Sequence, residues 1–489
     1  MSSSSLHLTP STIQDHLQAE DKRRDQAVTQ GRIRAYARRN QMLAYGGDTL
    51  TPGNLHRIHK YLESVSLGEN PSIADALLSA ILTTGRPLKE LAGMTSQVTS
   101  SERPKVPHLR KSGHWTWWLP AGKPSSRQNL YGELPADHEP ALLPVPCSDR
   151  TRLLIERAHS TGATGSPIFG EDERDLIEAV RSARRAAGAK ASLRSLESWL
   201  FHKIAAGPHG DLAVAAIITG RDPPIVQSVL HYTRIETSQI WSILTTALHD
   251  FDRLGARHLL TAKQGLGSRF APSKSDLQNI VERLQEALSI PPTDDTAFAK
   301  FHNTMTIYTA LFYLYATGCR PTAALIPNSS AVDPETGFTI LDDKAAPDGF
   351  KTRLVWVSHE CRAQLTNYER HLERLAIALP NLRSKIEKTK IPLILDNGQI
   401  KSLKPGGLRR ELRALGWEYP LNAGRHYLRS KLVGGIGSET LHAFLGHWHL
   451  GIEPWSKEAA LDPLSYRAEL AGSLPKILRE AGFAPVRGL

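Results

Sequence analysis

Between residues 84 and 232 the chain carries an order of features that returns between 317 and 466. Internal self-similarity of this length constrains a fold more than any single motif. Thr84-Gly-Arg86-Pro87 is matched by Thr317-Gly-Cys-Arg320-Pro321, and a leucine (Leu91, Leu325) stands five residues after each arginine. Each motif closes an apolar stretch with helical periodicity; the first runs from Ser72 to Thr84 and stops at Gly85. Strand-like sequence follows in both cases. Next comes a short apolar piece, Ser166-Pro-Ile-Phe-Gly170 or Ile391-Pro-Leu-Ile-Leu395. An arginine then opens an apolar helix, Arg194 in one copy and Arg425 in the other, and a tyrosine comes last, Tyr232 or Tyr466. The separations are 320 − 86 = 234, 425 − 194 = 231 and 466 − 232 = 234. We read this as a duplication.

A chain of 489 residues exceeds one ordinary core, which agrees with tandem domains. The expected organisation is a basic helical region over 1–65, a first, degenerate copy over 66–245, a linking helical segment over 246–298 and a second copy over 299–489. The expected fold class is mainly α with small β-hairpin or sheet elements, duplicated. No apolar run is long enough for a membrane span, and the start lacks the layout of a secretory signal, so the expected location is cytoplasmic and nucleoid-associated on DNA. Cys147, Cys319 and Cys361 are too scattered for a disulfide framework or a thiolate metal site. His442, His447 and His449 lack the cysteine or acidic companions of a zinc site, and neither metal nor cofactor is expected. Lys+Arg at 60 against Asp+Glu at 49 give a net charge of +11, which suits a polyanionic partner.

Two arginines, a lysine and a tyrosine suit one chemistry in particular. Phosphodiester transesterification builds negative charge on non-bridging oxygens, which planar guanidinium forks match. A tyrosine hydroxyl held in line with phosphorus can attack and conserve the bond as a phosphotyrosyl ester. A lysine can protonate the leaving oxygen. No metal is required.

In the second copy, Thr317-Gly-Cys-Arg320, Gly424-Arg425-His426-Tyr-Leu and Leu445-Gly-His447 lie in order, with Lys344 between the first two in an expected β-hairpin. Over roughly 300–470 this resembles the catalytic domain of the tyrosine recombinases (phage integrase type). The resemblance implies that Arg320 and Arg425 clamp the scissile phosphate, Lys344 is the general acid, His447 assists and Tyr466 attacks. It further implies double-stranded DNA as substrate, other protomers as partners, and integration, excision or transposition through a 3′-phosphotyrosyl intermediate. The family's histidine before the second arginine is replaced by Asn422; reading His426 and Arg429 as that pair is an alternative register. Tyr466 also stands 19 residues after His447, beyond an intervening Trp448…Trp455 segment, where about ten is usual.

The first copy resembles the family more faintly, through Arg86, Lys111, Arg194, Arg221 in the place of the histidine, and Tyr232. Tyr232 stands 11 residues after Arg221 and is the better spaced tyrosine. Taken singly, each of these residues has a plain structural role: a helix cap, a hairpin-tip lysine, a half-buried core tyrosine. Order and spacing carry the argument. Three rivals stay open: a catalytically inactive recombinase-like DNA-binding or regulatory partner, a type IB topoisomerase-like enzyme, and an unrelated helical DNA-binding factor.

Overall fold

A computed structural model describes residues 49–68, 70–97, 107–111, 115–120, 142–158, 167–170, 172–207, 210–221, 227–254, 265–322, 325–342, 352–448, 453–455 and 459–489. The chain is mainly helical with small sheets, as expected, and divides into two compact units. Among the described residues, unit 1 comprises those within 49–93, 150–158 and 167–202, and unit 2 those within 94–149 and 203–489. The strand-rich stretch after the first Gly-Arg motif joins the second unit, so the first copy is divided between the two. Most of the 1–65 region lies outside the described residues.

Unit 1 is helical: α1 (Pro52–Leu67), α2 (Ile73–Thr84), α3 (Leu88–Ala92), α4 (Asp149–Ala158), α5 (Glu173–Ala186) and the start of α6 (Leu193–Ala205). α2 is the helix expected from Ser72. Ser72 and Asp75 form a reciprocal capping box, and Gly85 closes the helix in the left-handed conformation, φ 66°. Its apolar residues run all round the helix, and it is buried from Ala74 to Thr84. α5 packs on it with Leu176, Val180 and Ala183, and the Ser79 and Thr151 hydroxyls meet at 2.8 Å to join α2 to α4.

Unit 2 begins with a four-stranded sheet in the order β1 (Thr95–Gln97), β2 (His108–Arg110), β3 (Thr116–Pro120), β4 (Leu142–Pro146). β1 and β2 are parallel and the other pairs antiparallel, with Trp117 buried opposite Val145. There follow α7 (Leu212–Thr219), α8 (Gln227–Tyr232), β5 (Arg234–Glu236), α9 (Thr237–Leu248), β6 (Gly265–Gly267) and α10 (Lys274–Ser289). The central element is α11 (Asp295–Thr317), buried continuously from Met305 onward because it is packed between α10, α12 (His359–Ala378) and α15 (Ala423–Leu432). Between these lie the β7–β8 hairpin (Phe338–Leu341, Arg353–Trp356), α13 (Arg383–Lys388), the β9–β10 pair (Pro392–Ile394, Ile400–Ser402) and α14 (Pro405–Ala414). α16 (Ser438–Leu445) and α17 (Pro463–Glu480) complete the unit.

The crossing of α15 on α11 is set by Gly424. A Cβ there would sit 2.8 Å from the Leu314 carbonyl oxygen and 3.2 Å from Tyr315 Cα, both backbone atoms that cannot swing away. Gly424→Ala is therefore expected to lower stability by about 1–3 kcal/mol, read as a fall in the urea midpoint. Gly406→Ala in α14, where a Cβ would meet nothing within 4 Å, should be neutral or slightly stabilising. Equal midpoints for the two variants would show that α15 does not rest on Gly424.

Candidate functional site: an arginine and histidine cluster around Tyr232

Helix α15 reads Ala-Gly-Arg-His-Tyr-Leu-Arg-Ser-Lys-Leu, yet Arg425, His426 and Arg429 are all fully buried. Burying guanidiniums is costly unless their donors are met, so their partners explain the helix's position. Arg425 donates from Nη1 to the Gly318 carbonyl (3.0 Å) and from Nη2 to the Leu445 carbonyl. Those carbonyls belong to the ends of α11 and α16, both closed by left-handed glycines (Gly318, φ 56°; Gly446, φ 64°). The second-copy Thr-Gly-Cys-Arg and Leu-Gly-His motifs are thus two helix ends tied together by the second arginine.

Arg353 on β8, which no sequence pattern singled out, does the same work. It donates to the Thr317 carbonyl (3.3 Å), the Gly318 carbonyl (3.1 Å) and the Phe444 carbonyl.

The cluster centres on Tyr232, at the end of α8. The Arg425 guanidinium lies 5.0 Å from its ring centroid, and the His447 ring stacks on it at 5.2 Å with 22° between planes. His426 packs at 4.4 Å and itself touches His231 (5.1 Å) and Phe270 (5.4 Å). His426 Nδ1 meets the Ser268 hydroxyl at 2.6 Å, and its Nε2 lies 3.4 Å from the Asn422 amide. Asn422 is therefore a neighbour of the cluster.

His447 is buried with both ring nitrogens lacking a hydrogen-bond partner among the described residues. Burial, followed by the charges of Arg425, Arg429 and Arg320, holds its pKa well below the usual histidine value. Burial does the same to His426, with His231 and Arg425 adding to it. Both rings are neutral at neutral pH. Each can therefore take up a proton only at a cost, or accept or donate one hydrogen bond. Arg320 is half-buried beside Gly318 and acts on His447 electrostatically.

Beneath the cluster, Arg429 pairs with Asp211, the N-cap of α7. Burial raises the Asp211 pKa, but Arg429, His442 and the hydrogen bonds it accepts outweigh this and leave it lowered. His442, 3.9 Å from Asp211, is held down to about 4 by burial and by Arg429, against the pull of Asp211.

Tyr466 is placed differently. It is fully buried near the start of α17, its hydroxyl donates to the Leu354 carbonyl at 2.8 Å, and its ring meets Phe338 (6.1 Å) and Trp455 (4.9 Å). Burial pushes its phenol well above the ordinary value, with Arg353 opposing. Lys344 lies outside the described residues, as does His449.

The first-copy residues fall in both compact units. Arg86 and Arg194 belong to unit 1, whereas Lys111, Arg221 and Tyr232 belong to unit 2. Arg86 is buried and donates to Glu90 (3.4 Å); burial lowers its pKa to about 10 while Glu90 opposes. Arg194 is exposed in the first turn of α6. Lys111 lies 5.3 Å over the Trp115 ring, and Arg221 follows the left-handed Gly220 that ends α7. Tyr232 packs against Arg425 and His447.

Asp211, His231, Ser268 and Arg353 are the cluster residues that sequence reasoning missed. Asp211 carried a signal, being a polar residue immediately before an apolar helical run. Arg353 carried none. Among the described residues there is no group of three or more His, Cys, Asp or Glu that could hold a metal ion, and no helix is long and apolar enough to cross a membrane. Comparison with family models, curated proteins and solved structures returns no match.

Proposed function

We propose that this chain cuts and rejoins double-stranded DNA by phosphotyrosyl strand transfer, in the manner of the tyrosine recombinases it resembles, with Tyr232 as the attacking residue. The observation that carries the proposal is the placement of Tyr232 against Arg425 and His447, two residues that the resemblance assigns to phosphate chemistry. In this reading Arg320, half-buried at the rim, binds a non-bridging oxygen, and Arg425 contributes fixed charge while its terminal nitrogens hold the helix ends. Solvent takes the phenolic proton, and His447 assists by packing on the Tyr232 ring. The Tyr232 oxygen forms the bond to phosphorus as the bond to the 5′-oxygen breaks, and Lys344 protonates that leaving oxygen. Attack by a 5′-hydroxyl on the phosphotyrosine then reverses each transfer and restores the phenol. Exchange between duplexes engages several protomers.

The test is covalent trapping on a nicked suicide duplex. The wild-type chain should form an adduct that peptide mapping places on Tyr232. Tyr232→Phe should abolish it, and Tyr466→Phe should leave it within about threefold of wild type, since a hydroxyl spent on a buried backbone carbonyl is a structural donor. An adduct on Tyr466 would move the active centre.

A second reading, a DNA-binding or regulatory protein without strand transfer, draws support from the engagement of Arg425 by two backbone carbonyls. It predicts salt-dependent duplex binding with no adduct on any tyrosine.

A further inference from the structure

We infer that the buried Asp211–Arg429 pair is a positioning device, acting through Thr233 to hold Tyr232 against Arg425 and His447; the inference rests on the reading of Tyr232 as the attacking residue. Both side chains of the pair are essentially inaccessible, 0% exposed for Arg429 and 2% for Asp211. A buried ion pair adds little net stability over apolar residues of the same volume, so its presence calls for another role.

The connectivity supplies that role. Asp211 Oδ1 accepts from the Ala213 and Val214 amides at 2.9 and 3.1 Å, which fixes the carboxylate at the start of α7. Its other oxygen takes Arg429 Nη2. Arg429 Nε then donates to Thr233 Oγ1 at 3.1 Å, and that hydroxyl donates to the Val229 carbonyl at 2.7 Å. Both roles of the hydroxyl are thereby used, and Thr233 directly follows Tyr232. On the other side of the backbone, the Thr233 carbonyl accepts from the Ser268 amide at 2.8 Å, and the Arg234 amide donates to Ser430 on α15 at 3.0 Å. Gly267 makes the first of these possible. Its φ is 102°, and a Cβ would lie 2.2 Å from the Thr233 carbonyl oxygen. The segment carrying Tyr232 is thus pinned to the helix carrying Arg425, and the ion pair is the anchor at the buried end.

Thr233→Val removes the link and leaves the ion pair intact, Asp211→Asn weakens the anchor, and Thr233→Ser restores the hydroxyl. Two readouts are needed, both on the full chain. The first is the adduct-forming rate at saturating suicide duplex, which should fall about 10- to 100-fold in Thr233→Val and Asp211→Asn with duplex affinity within twofold of wild type, because misplacement of a reacting group costs rate rather than binding. Thr233→Ser should recover most of the rate.

The second is the fluorine resonance of 3-fluorotyrosine installed at position 232. It should shift and broaden in Thr233→Val and return to its wild-type position in Thr233→Ser. A folded Thr233→Val variant with wild-type rate and unchanged resonance would overturn the inference. Should the wild-type chain form no adduct, strand transfer at Tyr232 fails, and the resonance alone decides whether the anchor holds this ring. If Asp211→Asn does not fold, Thr233→Val decides by itself.

Discussion

Arg353→Met is expected to destabilise unit 2 by about 3 kcal/mol. The reason is an accounting of carbonyls. Arg353 donates to the Thr317, Gly318 and Phe444 carbonyls at two buried helix ends. Methionine fills similar space and cannot donate. The Gly318 carbonyl would keep its bond from Arg425 Nη1, but the Thr317 and Phe444 carbonyls would lose theirs in a site closed to water. An unmet buried polar group costs about 1–3 kcal/mol, and release from desolvating a guanidinium offsets part of the sum. Arg320→Met, at a half-buried position, should change stability by less than about 1 kcal/mol. Urea midpoints for the two variants make the comparison. A midpoint for Arg353→Met equal to that of Arg320→Met would show that these helix ends do not depend on Arg353. The pair also separates stability from chemistry, because under the proposed strand-transfer reading Arg320→Met should impair duplex cleavage without unfolding the protein.

This division between arginines that hold and arginines that face outward was only partly legible in the sequence. Helices α2, α10 and α15 were readable because periodicity, capping residues and closing glycines are local properties. So were Arg425 and His447, which stand in order at the openings and ends of helices. What local sequence does not contain is the partner across the fold. Asp211 and Arg429 are 218 residues apart, and a carboxylate before an apolar run reads only as a cap. Arg353 sits in a strand, where an arginine ordinarily faces solvent. The tyrosines show the same limit. Spacing alone set Tyr466 beside Tyr232 as competing candidates, and their partners distinguish them: one hydroxyl serves the Leu354 carbonyl, and the other ring packs against Arg425 and His447. Duplication reasoning matched residues by order, but Arg86 and Arg194 belong to a different compact unit from Tyr232.

Acid should unfold unit 2 well above the carboxylate range, and a histidine pair outside the cluster is the reason. His302 on α11 and His371 on α12 are fully buried and stacked at 5.3 Å. Their hydrogen bonds admit one arrangement of protons. The Pro392 carbonyl can only accept, so His302 Nε2, at 2.9 Å, carries a hydrogen. His302 Nδ1 is then an acceptor, and His371 Nε2 donates to it at 3.1 Å. His371 Nδ1 in turn accepts from the Leu489 amide at 3.2 Å. Every lone pair and hydrogen is used by two neutral rings, and an added proton would face an existing N–H. Burial lowers His302 to about 4, against the Pro392 bond; burial and then His302 lower His371 to about 3. Both folded values lie below the unfolded value near 6.5. The stabilisation is therefore complete above about pH 6.5 and is lost as pH falls toward the folded values. Each histidine contributes about 1.4 kcal/mol per pH unit across that window. His426, His442 and His447 are lowered in the same sense and steepen the slope. The urea midpoint should thus fall continuously from pH 7 to pH 5, and the ring resonances of His302 and His371 should not titrate until the protein unfolds. A midpoint flat over that range, or either ring titrating near pH 6.5 in the folded chain, would refute the neutral-pair arrangement.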